Sequence, residues 1–154
     1  MTDAATEDLI GLYSKRILAL ASDIPHAGRL EGAEATVRKR SPLCGSTVEV
    51  GVSLDEDGRI AAFGQDVKAC ALGQASAAVL GAQVIGRSRD EIAAARDALK
   101  AMLKSDGPVP AAPFEGFEAL RPAKDYKNRH ASILLSLEAT LAAMDEALAA
   151  RADT

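Results

Sequence analysis

Apolar residues recur at helical spacing in the first part of the chain. Between about Ala4 and Ser22 they stand three or four positions apart, whereas Lys15 and Arg16 fall on the opposite face. This pattern predicts an amphipathic helix whose buried side carries Leu9, Leu12, Tyr13, Ile17, Leu20 and Ala21. Pro25 and Gly28 follow and are expected to end the helix.

The next apolar residues alternate with polar or small ones, which is the period of a strand with one buried face. Two strands are predicted, Ala33–Lys39 and Ser46–Leu54, and the second has Val or Leu at every other position. Asp57 and Gly58 form a turn signal typical of a hairpin. A third strand, Arg59–Phe63, is therefore expected to return antiparallel to the second.

The second half of the chain has helical patterns only. Small apolar residues on all sides after Cys70 predict a buried, closely packed helix that Gly86 ends. Ser88 and Glu91 have the spacing of a capping box, which predicts a helix through about Lys104.

A loop and a final helix complete the predicted order of elements. The segment Ser105–Pro113 is rich in Pro and Gly, and an apolar stripe indicates a last helix over Lys124–Ala150. One helix, a small three-stranded antiparallel sheet and then a helical layer packed on it is an α+β fold. A length of 154 residues suits one domain, 1–154.

Composition and charge exclude several classes of function. The net charge is −4 and there are only three Phe, two Tyr and no Trp, which disfavours nucleic-acid binding by phosphate neutralisation or base stacking. No apolar run is long enough to cross a bilayer, and the acidic start does not resemble a signal peptide. We therefore expect a cytoplasmic protein that does not bind a membrane, with thiols kept reduced.

Two cysteines are candidates for chemistry. Cys44 lies in a turn between Pro42 and Gly45, where it is either a small buried hydrophobe or a ligand. Cys70 is at the start of the buried helix and follows Lys68. A helix N terminus and a nearby cation both favour the thiolate, the form that binds metal or attacks sulfur. The antiparallel hairpin is expected to bring both thiols to one end of the sheet.

Histidine offers one further ligand candidate. His130 lies near the start of the last helix and His26 lies in a turn, and a single histidine of either kind is most often a surface residue. The chain has no phosphate-binding glycine loop, no GxSxG elbow and no HExxH pair, which disfavours the enzyme classes that depend on them.

Taken together, these motifs resemble the IscU, SufU and NifU N-terminal family of iron–sulfur cluster assembly scaffolds. The run from Ser41 to Gly45 corresponds to the family's Asn/Ala-Pro-x-Cys-Gly-Asp, and Cys70 is followed by Ala75 and Ser76 at the family's offset. The separation of the two cysteines also matches. The resemblance extends from about Leu12 to Leu141.

Two departures from the family pattern affect its metal site. Ser46 stands where the family has an Asp, and the third Cys is missing. Aligning Arg129–Ile133 with the SufU pattern Lys-Cys-Ala-Thr-Leu places His130 on that Cys. An alternative register aligns His130 with the histidine of IscU and places Ala131 on the Cys.

The resemblance implies a site formed by Cys44, Cys70 and His130, with Ser46, Asp66 and Lys68 as possible outer contacts. Such ligands suit iron, a [2Fe–2S] cluster or, alternatively, zinc. The implied function is a scaffold or carrier rather than an enzyme. It would take sulfur from a cysteine desulfurase and pass the cluster to apo iron–sulfur recipient proteins. Two alternatives are a SufU-like zinc-dependent sulfur transfer protein and a degenerate member that only binds a partner.

Overall fold

The computed structural model describes residues 13–42 and 45–152 and confirms the α+β order. A 3-10 segment lies between the last two helices. The elements are α1 (Lys15–Ala21), β1 (Ala35–Arg40), β2 (Thr47–Leu54), β3 (Ile60–Lys68), α2 (Ala71–Gln83), α3 (Arg89–Ser105), the 3-10 segment (Glu115–Asp125) and α4 (Lys127–Ala152).

The sheet is an antiparallel meander in the order β1-β2-β3. Val50 of β2 pairs with Val37 on one side and Gln65 on the other, so these three side chains lie on the same face as the core. β3 continues to Lys68, five residues beyond the predicted end. Gly64 and Gln65 interrupt the apolar alternation that would have revealed the longer strand, and Gln65 is buried with its amide donating to the carbonyl of Ala77.

The segment before β1 covers the opposite face of the sheet. Gly51 and Gly64 are paired on adjacent strands, and a Cβ on Gly64 would lie 2.7 Å from the backbone nitrogen of Leu30. The missing side chains therefore let Leu30 lie directly on the sheet. The same segment bonds the edge of β3, because Gln65 donates to the carbonyl of His26 and Gly28 donates to that of Gln65.

The helical layer packs on the core face of the sheet. α4 contacts β1, β2, α2 and α3, and most of its length is buried. α2 approaches its neighbours closely at two glycines: a Cβ on Gly73 would lie 2.7 Å from Ser132 Oγ, and one on Gly81 would lie 2.8 Å from Gln65 Nε2. The small residues of α2 thus have the packing role that the sequence predicted.

The capping box at the start of α3 is confirmed. Ser88 Oγ accepts from the backbone N–H of Glu91, and the Ser88 N–H donates to the Glu91 carboxylate, both at 3.2 Å. Arg59 and Arg87 also donate to this carboxylate. These bonds, with that from the Ser88 backbone the largest contribution, lower the pKa of Glu91 to about 2.

The first and last helices differ from prediction in their bounds. Residues 4–12 of the predicted first helix lie outside the described residues, and its described part contains α1, with Ile17 buried and Lys15 and Arg16 exposed. α4 begins at Lys127 rather than at about residue 124, because the 3-10 segment occupies the residues before it. No described helix is both long and apolar enough to span a membrane.

Candidate functional site

Cys70 is the residue from which α2 begins. Its backbone is extended, with φ −65° and ψ 169°, and its side chain makes no capping bond to the helix. The thiol is partly exposed and is not in a disulfide. β3 ends two residues earlier at Lys68, so the strand places the thiol at the N-terminal end of a 13-residue helix. The predicted position of Cys70 at a helix start is therefore confirmed.

One buried hydroxyl contacts this thiol, and a second buried hydroxyl contacts the first. Ser132 Oγ on α4 lies 3.7 Å from Cys70 Sγ and 3.0 Å from Ser46 Oγ, which precedes β2. Both serines are at most 5% exposed. Gly73 makes the contact possible, because a side chain there would occupy the position of the Ser132 hydroxyl. Three distant parts of the chain thus meet beside Cys70.

The turn between β1 and β2 is closed by its own backbone. The N–H of Ser41 donates to the carbonyl of Ser46 at 2.8 Å, and the N–H of Gly45 donates to the carbonyl of Ser41 at 2.9 Å. Gly45 has φ +72°, a conformation that favours glycine. Cys44 lies outside the described residues, so its place as a ligand stays a prediction. The Ser46 hydroxyl lies 3.0 Å from the Ser132 hydroxyl, and the role of Ser46 as an outer contact of a metal site stays a prediction.

His130 contacts a different part of the molecule from Cys70. Its ring is buried, and Nε2 lies 2.9 Å from the carbonyl oxygen of Ala123. Since a carbonyl only accepts, Nε2 carries the proton, which leaves Nδ1 as the acceptor of a neutral ring. Nδ1 makes no hydrogen bond to a described residue. Positions 130 and 132 of a helix point roughly 200° apart, so the face that carries Ser132 to Cys70 carries His130 away.

The remaining candidates lie on the sheet. Asp66 and Lys68 are exposed and pair with Glu49 and Thr47 on the face opposite the core, whereas Val67 between them faces the core. Their role as outer contacts of a metal site stays a prediction.

Among the residues that the structure describes, the donors at this position are therefore the Cys70 thiol, the Ser132 hydroxyl in contact with it, and the Ser46 hydroxyl that contacts Ser132. Hydroxyls are poor ligands for iron and zinc compared with thiolate or imidazole. Within residues 13–42 and 45–152, no three His, Cys, Asp or Glu side chains are grouped so as to hold a metal ion. A site that holds iron at this end needs the thiol of Cys44, which the sequence places two positions before Ser46.

Ser132 is the site residue that sequence reasoning missed. It lies in an apolar stretch of α4, among residues that read as core, and its neighbour His130 offered a more familiar ligand. The signal for it is indirect: a closely packed helix with glycine at Gly73 predicts a close partner, although not which residue of α4 it is.

Similarity to known proteins identifies the family of this chain. The family model described as the NifU-like N terminal domain matches residues 12–132. The chain belongs to this family, and the resemblance drawn from the Cys44 and Cys70 motifs is confirmed.

Individual relatives agree with the family. The chain is 33% identical over 79 residues to the iron–sulfur cluster assembly scaffold protein IscU of Streptococcus pyogenes serotype M1, a match covering 51% of this chain and 48% of that protein. The chain thus matches about half the length of that curated relative.

Two solved structures share the fold. The N-terminal part of a nitrogen-fixing NifU-like protein from Brucella abortus is 41% identical with a TM-score of 0.88, covering 92% of this chain and 98% of that one. A protein assigned as a SUF-system scaffold in Fervidobacterium islandicum AW-1 has a TM-score of 0.75 at 22% identity, over 88% and 98% of the two chains. The second likeness concerns the fold alone.

Proposed function

We propose that this chain is an iron–sulfur cluster assembly scaffold or carrier that binds iron or a [2Fe–2S] cluster as cargo. The observation that carries the proposal is the partly exposed thiol of Cys70 at the N terminus of α2, beside the end of the sheet at which Ser46 leads into β2. Membership of the NifU-like family and the names of the relatives support it.

The thiolates of Cys44 and Cys70 are the proposed cargo ligands. Both iron and clusters prefer thiolate to hydroxyl, so Ser46 and Ser132 position and desolvate the site rather than bind the cargo. A site with two thiolates holds its cargo less tightly than one with four, which suits a protein that must release it.

His130 is the proposed third ligand, and its ring must move before it can bind the cargo. To bind there, the ring must leave the carbonyl of Ala123 and turn toward the Cys70 side of α4. A carrier with only two protein ligands is the alternative if His130 stays where it is.

We propose a cysteine desulfurase as the sulfur donor and apo iron–sulfur proteins as recipients. The chain then acts stoichiometrically: it accepts sulfur and iron, holds the product and passes it on, and is not an enzyme. Ligands near the surface at one end of a domain suit this exchange, because partners can reach them without unfolding the core.

Anaerobic reconstitution tests this proposal. Reduced protein is incubated with ferric iron and sulfide, desalted, and examined by visible absorption and metal analysis. We expect iron-dependent absorption in the wild-type protein and its loss in Cys44→Ser and Cys70→Ser. Wild-type protein that keeps zinc and gains no iron-dependent absorption would contradict the scaffold proposal and favour zinc-dependent sulfur transfer.

The same assay decides the third ligand with a matched pair of variants. His130→Asn removes the imidazole but retains an amide that can donate to Ala123. His26→Asn makes the same exchange in a turn, where Asn tolerates the positive φ of 58°. We expect faster loss of iron to a chelator from His130→Asn than from His26→Asn. Equal rates would remove His130 from the ligand set.

A further inference from the structure

A row of basic residues lies near the turn that contains Cys44, on a chain whose net charge is −4. Three adjoining hollows share the side chain of Lys104 at the end of α3. One of them, which we name the basic groove, is a hollow of about 330 Å³ whose rim includes Lys39, Arg40, Lys100 and Lys104.

The floor of the basic groove is apolar. It is formed by Ala131, Leu134 and Leu135 of α4, and the two leucines are 6% and 5% exposed. The four rim cations are all exposed. A basic rim around an apolar floor fits a segment that presents carboxylates and an aliphatic side chain together.

The charges of the rim are not neutralised from within the chain. None of Lys39, Arg40, Lys100 and Lys104 forms an ion pair with any residue of 13–42 or 45–152. The nearby acids already have other partners: Glu138, which also lines the groove, and Asp97 of the adjoining hollow accept from Arg96 at 3.2 and 2.8 Å. Asp106 pairs with Lys124 at 3.4 Å. The groove therefore keeps its positive field for an incoming group.

The groove also adjoins the proposed cargo site. Ser41 and Pro42 form part of its wall, and in the sequence they immediately precede Leu43 and Cys44. A protein bound in the groove would lie beside the turn from which sulfur or cluster is exchanged.

We propose that the basic groove docks an acidic segment, with an aliphatic side chain, of a partner protein that exchanges sulfur or cluster with this chain. The proposal rests on the proposed function for the identity of the partner. Charge complementarity supplies the orientation and the association rate, and the apolar lining formed by Pro42, Ala131, Leu134 and Leu135 receives the aliphatic side chain. The scarcity of aromatic residues and the acidic net charge argue against nucleic acid as the occupant.

The test uses a short fluorescein-labelled peptide that repeats Glu-Glu-Leu, titrated with the full chain by fluorescence anisotropy. Lys104→Glu is compared with Lys15→Glu on α1, since each change takes the net charge from −4 to −6. We expect saturable, salt-sensitive binding that Lys104→Glu weakens about fivefold or more and Lys15→Glu weakens less than about twofold. Thermal unfolding confirms that both variants are folded.

Two further measurements make the outcome unambiguous. A peptide that repeats Glu-Glu-Ser should bind more weakly, because it lacks the aliphatic side chain for the floor. Binding to the Cys70→Ser variant should be unchanged, which separates a failure of docking from a failure of cargo binding. Equal weakening by the two lysine variants, or equal binding of the two peptides, would overturn the proposal. The proposal would also be overturned if the wild-type protein self-associates in solution and Lys104→Glu abolishes that association, because a second copy of the chain would then be the occupant of the groove.

Discussion

At the scale of single residues, the Cys70 thiol contacts a buried serine from a distant part of the chain. Ser132 contacts both Cys70 Sγ and Ser46 Oγ, whereas His130, two positions earlier, bonds the carbonyl of Ala123. The face of α4 that points to the proposed cargo site therefore carries a hydroxyl at its nearest position. A third soft ligand at position 132 would lie closer to Cys70 than His130 does.

Replacing that hydroxyl by a thiol should strengthen the site. Ser132→Cys is nearly isosteric and adds a soft ligand 3.7 Å from the present contact atom on Cys70. We expect iron to be lost to a chelator about tenfold more slowly than from the wild-type protein, which corresponds to roughly 1.4 kcal/mol. Ser136→Cys, buried one turn further along α4, is the matched control. A similar gain in both variants would show that the thiol acts elsewhere.

Sequence reasoning succeeded for Cys70 and did not reach Ser132, for physical reasons. The change to small residues on all sides after Cys70 is a local signal, so the helix start was readable. Ser132 depends on how closely α2 and α4 approach across Gly73, and that distance results from packing between segments about 60 residues apart. Local patterns carry no such information.

At the scale of elements, the predicted capping box at the N terminus of α3 forms both of its hydrogen bonds. The Glu91 carboxylate accepts from the Ser88 N–H and from Arg59 and Arg87. The lowered pKa therefore reports a carboxylate that is more stable charged in the folded chain. Its contribution to stability is fully present above the unfolded pKa near 4.5 and is lost as the pH falls toward about 2.

Glu91→Gln tests this linkage. We expect the free energy of unfolding near neutral pH to fall by about 1 kcal/mol, the size of a typical cap, because partial exposure screens the ion pairs. The difference from wild type should shrink as the pH is lowered from about 4.5 toward 2. Urea unfolding at several pH values measures it, with the exposed Glu56→Gln in the hairpin turn as control. A difference that stays constant across this range would contradict the assignment.

Elements whose sequence has a strong hydrophobic period were predicted, and elements whose hydrophobic period is weak were missed or predicted too short. The 3-10 segment repeats its buried residues every third position, at Phe117, Leu120 and Ala123, which is the period of that helix type. Pro122 within it and the loop before it hid this signal. β3 was predicted too short because buried Gln65 reads as polar, although its amide is satisfied by Pro25 and Ala77.

At the scale of the whole molecule, the two faces of the sheet are covered by very different means. α4 and α2 pack on the core face over many residues, whereas the outer face depends on one segment, 26–30, lying over Gly51 and Gly64. The fold class could be predicted because it follows from the order of elements. The path of segment 26–30 across the outer face could not be predicted. Its sequence has no hydrophobic period, and its position depends on two glycines in different strands, Gly51 and Gly64.

Gly64→Ala should displace this crossing. The added Cβ would meet backbone atoms of Leu30 and Gly28, which cannot rotate away, so we expect a loss of about 2 kcal/mol in the free energy of unfolding. At Gly51 the nearest atoms are the Cβ atoms of Leu30 and Ala33, at 3.1 and 3.2 Å. Gly51→Ala should therefore cost less. Urea titration compares the two, and a larger loss for Gly51→Ala would refute this view of the crossing.

The same crossing has a consequence for colloidal behaviour. Because the backbones of His26 and Gly28 bond both the N–H and the C=O of Gln65, the middle of the β3 margin is blocked as a template for strands from other molecules. A variant in which Leu30 no longer packs against Gly51 and Gly64 would expose this margin while its hydrophobic core remained intact. Its first symptom would be ordered self-association at high concentration, well below the temperature at which the helices melt.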